Sequence, residues 1–113
     1  MPNQPEIPLT ETTYFILLSL SARPMHGYAI MKDVEALSGG RVAFGTGTLY
    51  GALKRLLDQG WIARSDDPDP DDTARDRKVY VLTRRGRQAL ETEITRLESL
   101  LSAAELRAAE EPR

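Results

Sequence analysis

Apolar residues recur with helical spacing in four segments of this chain and alternate with polar residues in two others. The first helical segment begins after Thr10, a residue type that suits the N-cap, and ends near Leu20. Pro24 then prevents the helix from continuing. Leu9 precedes the cap and can pack onto Tyr14 four residues after the cap. The pattern therefore predicts a capped first helix that begins close to the N-terminus.

Two further helical segments follow before the alternating region. The second helix is predicted from about Gly27 to Leu37, where a Ser-Gly-Gly sequence ends it. Residues 41–45 are long enough only for a short connecting strand. Thr46 is predicted to cap a third helix that Gly60 ends, with four leucines facing inward: Leu49, Leu53, Leu56 and Leu57.

The second half of the chain predicts a hairpin and a long helix. Residues 61–65 and 77–83 alternate as two strands do, and the polar residues 66–76 form a mobile tip between them. Thr83 is placed to cap the fourth helix, and residues 104–113 are expected to fray. Apolar residues recur along this helix with heptad spacing, at Leu90, Ile94, Leu97, Leu101 and Ala104. A domain this small cannot cover so long a stripe, so we expect the helix to pair with a second copy.

The order of these elements predicts an α+β fold that is mostly α, a winged helix-turn-helix with a C-terminal dimerisation helix. A chain of 113 residues supports one hydrophobic core. We therefore expect a flexible arm at residues 1–8, one DNA-binding domain at residues 9–83, and a dimerisation helix with a frayed end at residues 84–113.

The residue types present exclude several classes of function. The chain has no cysteine, so disulfides, thiolate zinc sites and cysteine nucleophiles are excluded, and a cytoplasmic location is expected. The longest apolar run, residues 14–20, is too short to span a membrane. His26 is the only histidine and is expected to be structural. The aspartates of residues 66–76 lack the glycine and terminal glutamate of a calcium-binding loop.

No arrangement of residues indicates catalysis. Paired carboxylates, a Ser-His-Asp set and a phosphate-binding glycine loop are all missing from the sequence. We therefore predict a protein that is not an enzyme and that uses neither a cofactor nor a metal.

The net charge of −2 hides an uneven distribution of charge. Residues 41–64 carry four basic side chains against one aspartate, whereas residues 65–78 carry six aspartates against three basic side chains. This pattern predicts a basic face beside an acidic loop, and a basic face can bind the phosphates of nucleic acid.

Four segments of the sequence resemble the PadR family of bacterial transcriptional regulators: LTETTYFILLSL, HGYAIMKDVE, GTLYGALKRLLDQGWI and RKVYVLTRRGRQAL. The resemblance covers about residues 9–90. It implies a homodimeric repressor that binds an inverted-repeat operator in double-stranded DNA and often releases it when a small molecule binds. Short family members that bind flat aromatic drugs hold them between aromatic residues of the fourth helix, and that helix here has none.

The third helix of the sequence carries glycines four residues apart, although each costs roughly 1 kcal/mol against alanine in a helix interior. Leu49 defines the buried direction, and the glycines then share the outward face, where missing side chains let the backbone approach DNA.

The predicted DNA contacts are Arg41, Thr46, Gly47, Thr48, Tyr50, Gly51, Lys54, Arg55, Arg75, Arg77 and Lys78.

Alternatives remain open at several of these positions. The two glycines are either adapted to close approach or merely tolerated at the surface. Tyr50 can bind a phosphate through its hydroxyl or pack its ring on the second helix, and Trp61 is expected in or beside the core. The acidic tip favours an alternative function, a winged-helix module that binds a protein and no DNA.

Overall fold

The computed structural model describes residues 8–66 and 78–110. It confirms the predicted α+β, mostly helical winged helix-turn-helix. The elements in chain order are α1 (Glu11–Ala22), β1 (Met25–His26), α2 (Gly27–Leu37), α3 (Thr46–Gln59), β2 (Ile62–Asp66), β3 (Lys78–Leu82) and α4 (Arg84–Glu110). The arm at residues 1–7, the wing residues 67–77 and the last three residues lie outside the described part of the chain.

The first helix is capped as predicted. The side-chain oxygen of Thr10 accepts a hydrogen bond from the backbone N–H of Thr13 at 3.1 Å. Leu9 and Tyr14 both pack against the core, and α1 continues to Ala22, two residues beyond the predicted end. Ile16 and Leu17 are fully buried, so α1 lies at the centre of the domain.

The sheet differs from the prediction in the position of its third strand. The expected strand at residues 41–45 is wrong, because Val42 donates its backbone N–H to the side chain of Ser38 at 2.9 Å and the segment joins no sheet. The third strand is β1, where Met25 pairs with Tyr80 of β3. Its position follows from Pro24, which keeps the chain extended, and from burial of the Met25 side chain. The antiparallel strand order is β1-β3-β2.

The N-terminal end of α3 differs from the prediction, whereas its C-terminal end agrees with it. Thr46 does not cap this helix but is its first residue; the N-cap is Gly45, whose carbonyl accepts the N–H of Leu49 at 3.0 Å. An extended glycine is an acceptable N-cap, since its φ of −86° carries no strain. At the other end Gly60 adopts the left-handed conformation with φ of 77°, as a C-cap glycine is expected to do.

The start of α4 is fixed to the end of α3. Thr83 caps α4 as predicted, since its side-chain oxygen accepts the N–H of Gly86 at 3.0 Å and donates to the carbonyl of Gly60 at 2.6 Å. Gly86 lies directly against the backbone of Trp61, and a Cβ on Gly86 would overlap the Trp61 carbonyl. The first turn of α4 therefore packs directly against the backbone of Trp61. Only glycine permits so close an approach, because every other residue has a Cβ.

Within the segment expected to fray, residues 104–110 are helical in the structure. Alanine, glutamate, leucine and arginine fill this last part of α4, and all four are strong helix formers. None of the helices in the described part of the chain combines the length and apolar character needed to cross a membrane.

Candidate nucleic-acid interface

The third helix divides into a buried face and an exposed face. The apolar side chains of the inner face, Leu49, Ala52, Leu53 and Leu56, are buried in the core. The outer face carries the predicted contact residues, all of them exposed: Thr46, Gly47, Thr48, Tyr50, Gly51, Lys54 and Arg55. The helix thus presents a small, polar and cationic surface to the outside.

The two glycines of this outer face are not required by the fold. A Cβ added at Gly47 would have no described atom within 4 Å, and one added at Gly51 would meet only the side chain of Arg55, at 3.9 Å. Both residues are helical and neither has a positive φ. The packing of the chain therefore gives no reason for glycine at either position.

Tyr50 packs against α2, which was one of its two predicted roles. A Cβ on Gly27, the first residue of α2, would lie 2.6 Å from the Tyr50 hydroxyl oxygen and 3.1 Å from Cζ. The Tyr50 ring therefore occupies the space that a side chain at position 27 would need. Tyr50 is nevertheless 42% exposed, so packing on α2 leaves part of the residue at the surface.

The basic residues at this surface have different partners. Lys54 forms an exposed ion pair with Asp58, one turn later in α3, at 3.8 Å. Arg41 forms an ion pair with Glu11 at the start of α1, and both side chains are largely exposed. Exposed ion pairs contribute little to stability, so both cations can exchange their partner at small cost.

A cleft of about 410 Å³ separates α3 from the wing strands. Arg64 pairs with Tyr80, and Asp66 pairs with Lys78, so Arg64, Lys78 and Tyr80 share one face of the hairpin. That face borders the cleft opposite Lys54. The structure thus brings Lys54 and Lys78 together with Arg64. Arg64 was counted in the basic segment 41–64 but was not among the predicted DNA contacts, although strand alternation could have placed it beside Lys78. The predicted contacts Arg75 and Arg77 lie outside the described residues.

A second cleft, of about 450 Å³, lies between α2 and the N-terminal end of α3. Tyr28 borders it and is 66% exposed, with the Lys32 ammonium 5.7 Å from its ring centroid. Tyr28 was not among the contacts predicted from the sequence. Tyr28 lies on the side of α2 opposite the buried residue Ile30, so helix periodicity could have identified it as an exposed residue.

The predicted dimerisation stripe of α4 separates into two parts. Leu90 is buried in the core of its own chain, so its assignment to a dimer interface is corrected, and Ile94 also packs against that core. Leu97, Leu101 and Ala104 are exposed, as is Leu100, which the heptad pattern did not include. The domain covers the first part of the stripe because Gly86 brings this part of the helix close to the core.

An ion pair with a buried carboxylate lies where these two parts meet. Glu93 is almost fully buried and accepts hydrogen bonds from Nε and Nη2 of Arg96, at 2.9 and 2.7 Å. These bonds lower the pKa of Glu93 below its ordinary value of 4.5, although burial of the carboxyl acts in the opposite direction. The positive charge of Arg96 and a hydrogen bond from the backbone N–H of Leu9 lower this pKa further. The carboxylate therefore connects α4 to the residue preceding the α1 cap.

No cluster of three or more histidine, aspartate or glutamate side chains able to hold a metal ion occurs among residues 8–66 and 78–110. The described surface around α3 carries cations, small residues and one cleft lined by uncharged residues.

The fold has similar solved structures. A PadR family transcription regulator from Clostridium difficile R20291 superposes with a TM-score of 0.70 and 25% identity, over 88% of this chain and 99% of that one. Bacillus subtilis PadR, solved in complex with operator DNA, superposes with a TM-score of 0.59 and 29% identity, over 70% of this chain and 44% of that one.

Sequence comparisons agree with the structural ones. A protein in transposon TN4556 of Streptomyces fradiae, described as an uncharacterized 37.1 kDa protein, is 37% identical over 78 residues. The match includes 69% of this chain but only 20% of the length of that curated relative. The model of the transcriptional regulator PadR-like family matches residues 16–92, which is more than half of the chain. Its members are transcriptional regulators and not enzymes. The chain therefore belongs to the PadR-like family of transcriptional regulators.

Proposed function

We propose that this protein is a sequence-specific DNA-binding repressor that acts as a homodimer on an inverted-repeat operator and responds to a small molecule. The observation that carries the proposal is the outer face of α3, where two glycines that the fold does not require lie beside exposed cations. In a helix-turn-helix, the N-terminal part of this helix enters the major groove.

The glycines support this orientation because they are useful only if another surface comes close. Gly47 and Gly51 lie one turn apart on the side of α3 opposite the core. With no Cβ at either position, the helix backbone can approach phosphates or base edges. Lys54 and Arg55 follow one turn later and provide charge for the phosphates.

The wing extends the proposed contact surface beyond α3. Lys78 and Arg64 border the cleft across from Lys54. We expect them to hold the DNA backbone beside the groove that α3 enters, while Arg41, Arg75 and Arg77 remain proposed contacts from the sequence. Such contacts position the protein on DNA without reading its sequence.

The second copy is proposed to bind through the exposed part of α4. Leu97, Leu100, Leu101 and Ala104 form an apolar stripe that the described chain leaves uncovered. We expect a symmetric pair of these helices to hold the two α3 helices about 34 Å apart, one turn of the duplex, and to require an operator of matching symmetry. Repression and release by a small molecule are proposed from membership of the PadR-like family.

Binding to DNA is tested directly with a fluorescent random duplex, titrated at low salt and across a salt series. We expect binding that weakens steeply as salt rises, because phosphate contacts release counterions. Sites selected from a random library are expected to be inverted repeats. A protein that binds no duplex at low salt would contradict the proposal and support the protein-interaction module instead.

Gly51→Leu tests whether α3 approaches DNA closely. A Cβ at this position meets only the Arg55 side chain, and leucine has a better helix propensity, so we expect the melting temperature to rise while affinity for the selected duplex falls at least about tenfold. Lys54→Ala is the control, since it should weaken binding and reduce the salt slope by about one without stabilising the fold. Unchanged affinity of the Gly51→Leu variant would contradict the role given to the glycines.

A further inference from the structure

The cleft between α2 and α3 differs in chemistry from the rest of the proposed DNA-binding surface. Its described lining residues are Tyr28, Met31, Thr46, Gly47, Leu49 and Tyr50, none of which is charged. The other cleft beside α3 has three cations, Lys54, Arg64 and Lys78, and one carboxylate, Asp58, among its lining residues. The cations attract phosphate groups to the cleft between α3 and the wing strands, whereas the uncharged cleft between α2 and α3 suits an apolar group.

The position of the apolar cleft indicates where that group comes from. It opens beside Thr46 and Gly47, at the N-terminal end of α3. This is the part of the helix that enters the major groove in the proposed function, and the cleft is continuous with the outer face of α3. Gly47 adds no side chain that would separate the cleft from a base edge.

In the major groove, the 5-methyl group of thymine is the apolar feature by which bases differ. We propose that this cleft, through Tyr28 and Met31, receives the methyl group of one thymine in each operator half-site. The inference rests on the proposed function and adds to it a base preference at one position. Tyr28 is 66% exposed and so has surface available to a base, and Lys32 beside its ring can hold a neighbouring phosphate.

The test replaces thymine by deoxyuridine, which removes the methyl group and leaves the hydrogen-bonding edge unchanged. Duplexes are first selected from a random library with the full chain, and each fixed thymine is then replaced in turn. We expect one thymine per half-site at which replacement weakens binding about fourfold, the effect of losing one buried methyl group. Replacement at the other thymines should change affinity less than twofold.

Tyr28→Ser makes the test specific to the cleft. Because Tyr28 is exposed, this variant should keep its fold, which circular dichroism checks. The variant should bind the thymine and deoxyuridine duplexes with equal affinity. The effects of Tyr28→Ser and of removing the methyl group would then not be additive. Leu37→Ser is the matched control, an exposed apolar residue at the other end of α2, and should keep the fourfold preference for thymine.

The outcomes separate the inference from the proposed function. Salt-dependent binding with no thymine-sensitive position would overturn the inference and leave DNA binding intact. A thymine preference that persists in Tyr28→Ser would overturn the assignment to this cleft. Absence of binding to any duplex would overturn both the inference and the proposed function.

Discussion

The two halves of α4 continue one apolar stripe but have different surroundings. In the first half, Gly86 lies on the backbone of Trp61 and Leu90 is buried in the core. In the second half, Leu101 is 58% exposed, although its spacing from Leu97 and Leu90 follows the same heptad. The difference teaches that periodicity shows which face of a helix is covered, but not whether the same chain covers it.

The largest expected effect comes from Gly86, where the first half of α4 meets main chain. In Gly86→Ala, the new Cβ would overlap the Trp61 carbonyl, which cannot rotate away as a side chain could. We expect a loss of roughly 3 kcal/mol or more in the free energy of unfolding, measured by urea denaturation. Gly51→Ala is the matched control in an open position and should gain up to about 1 kcal/mol. A Gly86→Ala variant as stable as the parent would show that α4 is not held at this contact.

The second half of α4 is tested by Leu101→Asp. If the exposed stripe binds a second copy, the carboxylate removes apolar burial from both helices and brings charge into the interface. We expect the dimer dissociation constant to rise at least about 100-fold, measured by sedimentation velocity, with little change in the circular dichroism spectrum.

Leu106→Asp is the control for this variant. Leu106 is 64% exposed but lies on the side of α4 opposite Leu97, so its replacement should leave the dimer intact. If both variants dissociate equally, or neither does, the interface does not follow the stripe.

Leu90→Ala changes a residue in the first half of α4. It should lower the stability of the fold without affecting dimerisation. Truncating a buried leucine leaves a cavity, and we expect a loss of about 3 kcal/mol in the free energy of unfolding. Leu106→Ala, a truncation at an exposed position of the same helix, should change this free energy by less than about 0.5 kcal/mol. Equal losses in the two variants would remove the distinction between the halves.

Several parts of the fold could be predicted because local chemistry determines them. The Thr10 and Thr83 caps and the left-handed Gly60 depend on residues close in sequence. The strand β1 could not be predicted in this way, since two residues carry no periodicity and its pairing with β3 joins positions about 54 residues apart. Gly86 was missed for the same reason, because its partner Trp61 is distant in sequence.

The candidate site shows the same division. Helical periodicity identified the outer face of α3 and placed the exposed Gly47, Gly51 and Lys54 there. Periodicity could have marked Tyr28 and Arg64 as outward-facing residues, but the clefts that they line form only through packing between elements, α2 with α3 and α3 with the hairpin. Which residues share a cleft depends on tertiary structure, which helix and strand spacing alone do not contain.

The smallest expected effect concerns Glu93, at the boundary between the two halves. Glu93→Gln keeps the size of the side chain and its capacity to accept a hydrogen bond, but removes the charge that Arg96 binds. Charge-assisted hydrogen bonds are stronger than neutral ones, so we expect a loss of about 1 kcal/mol at pH 7. Glu91→Gln, an exposed change on the same helix, should have less than half of this effect.

The dependence of this loss on pH identifies the carboxylate as its cause. The pKa of Glu93 is lowered by folding, so the unfolded chain binds the proton more readily, and the stabilisation is present above the ordinary pKa of 4.5. It is lost as the pH falls through the lowered pKa of the folded state. Urea denaturation from pH 7 to pH 3 should therefore show parent and Glu93→Gln converging at acidic pH. A constant difference across this range would mean that the variant acts through packing and not through loss of the ion pair with Arg96.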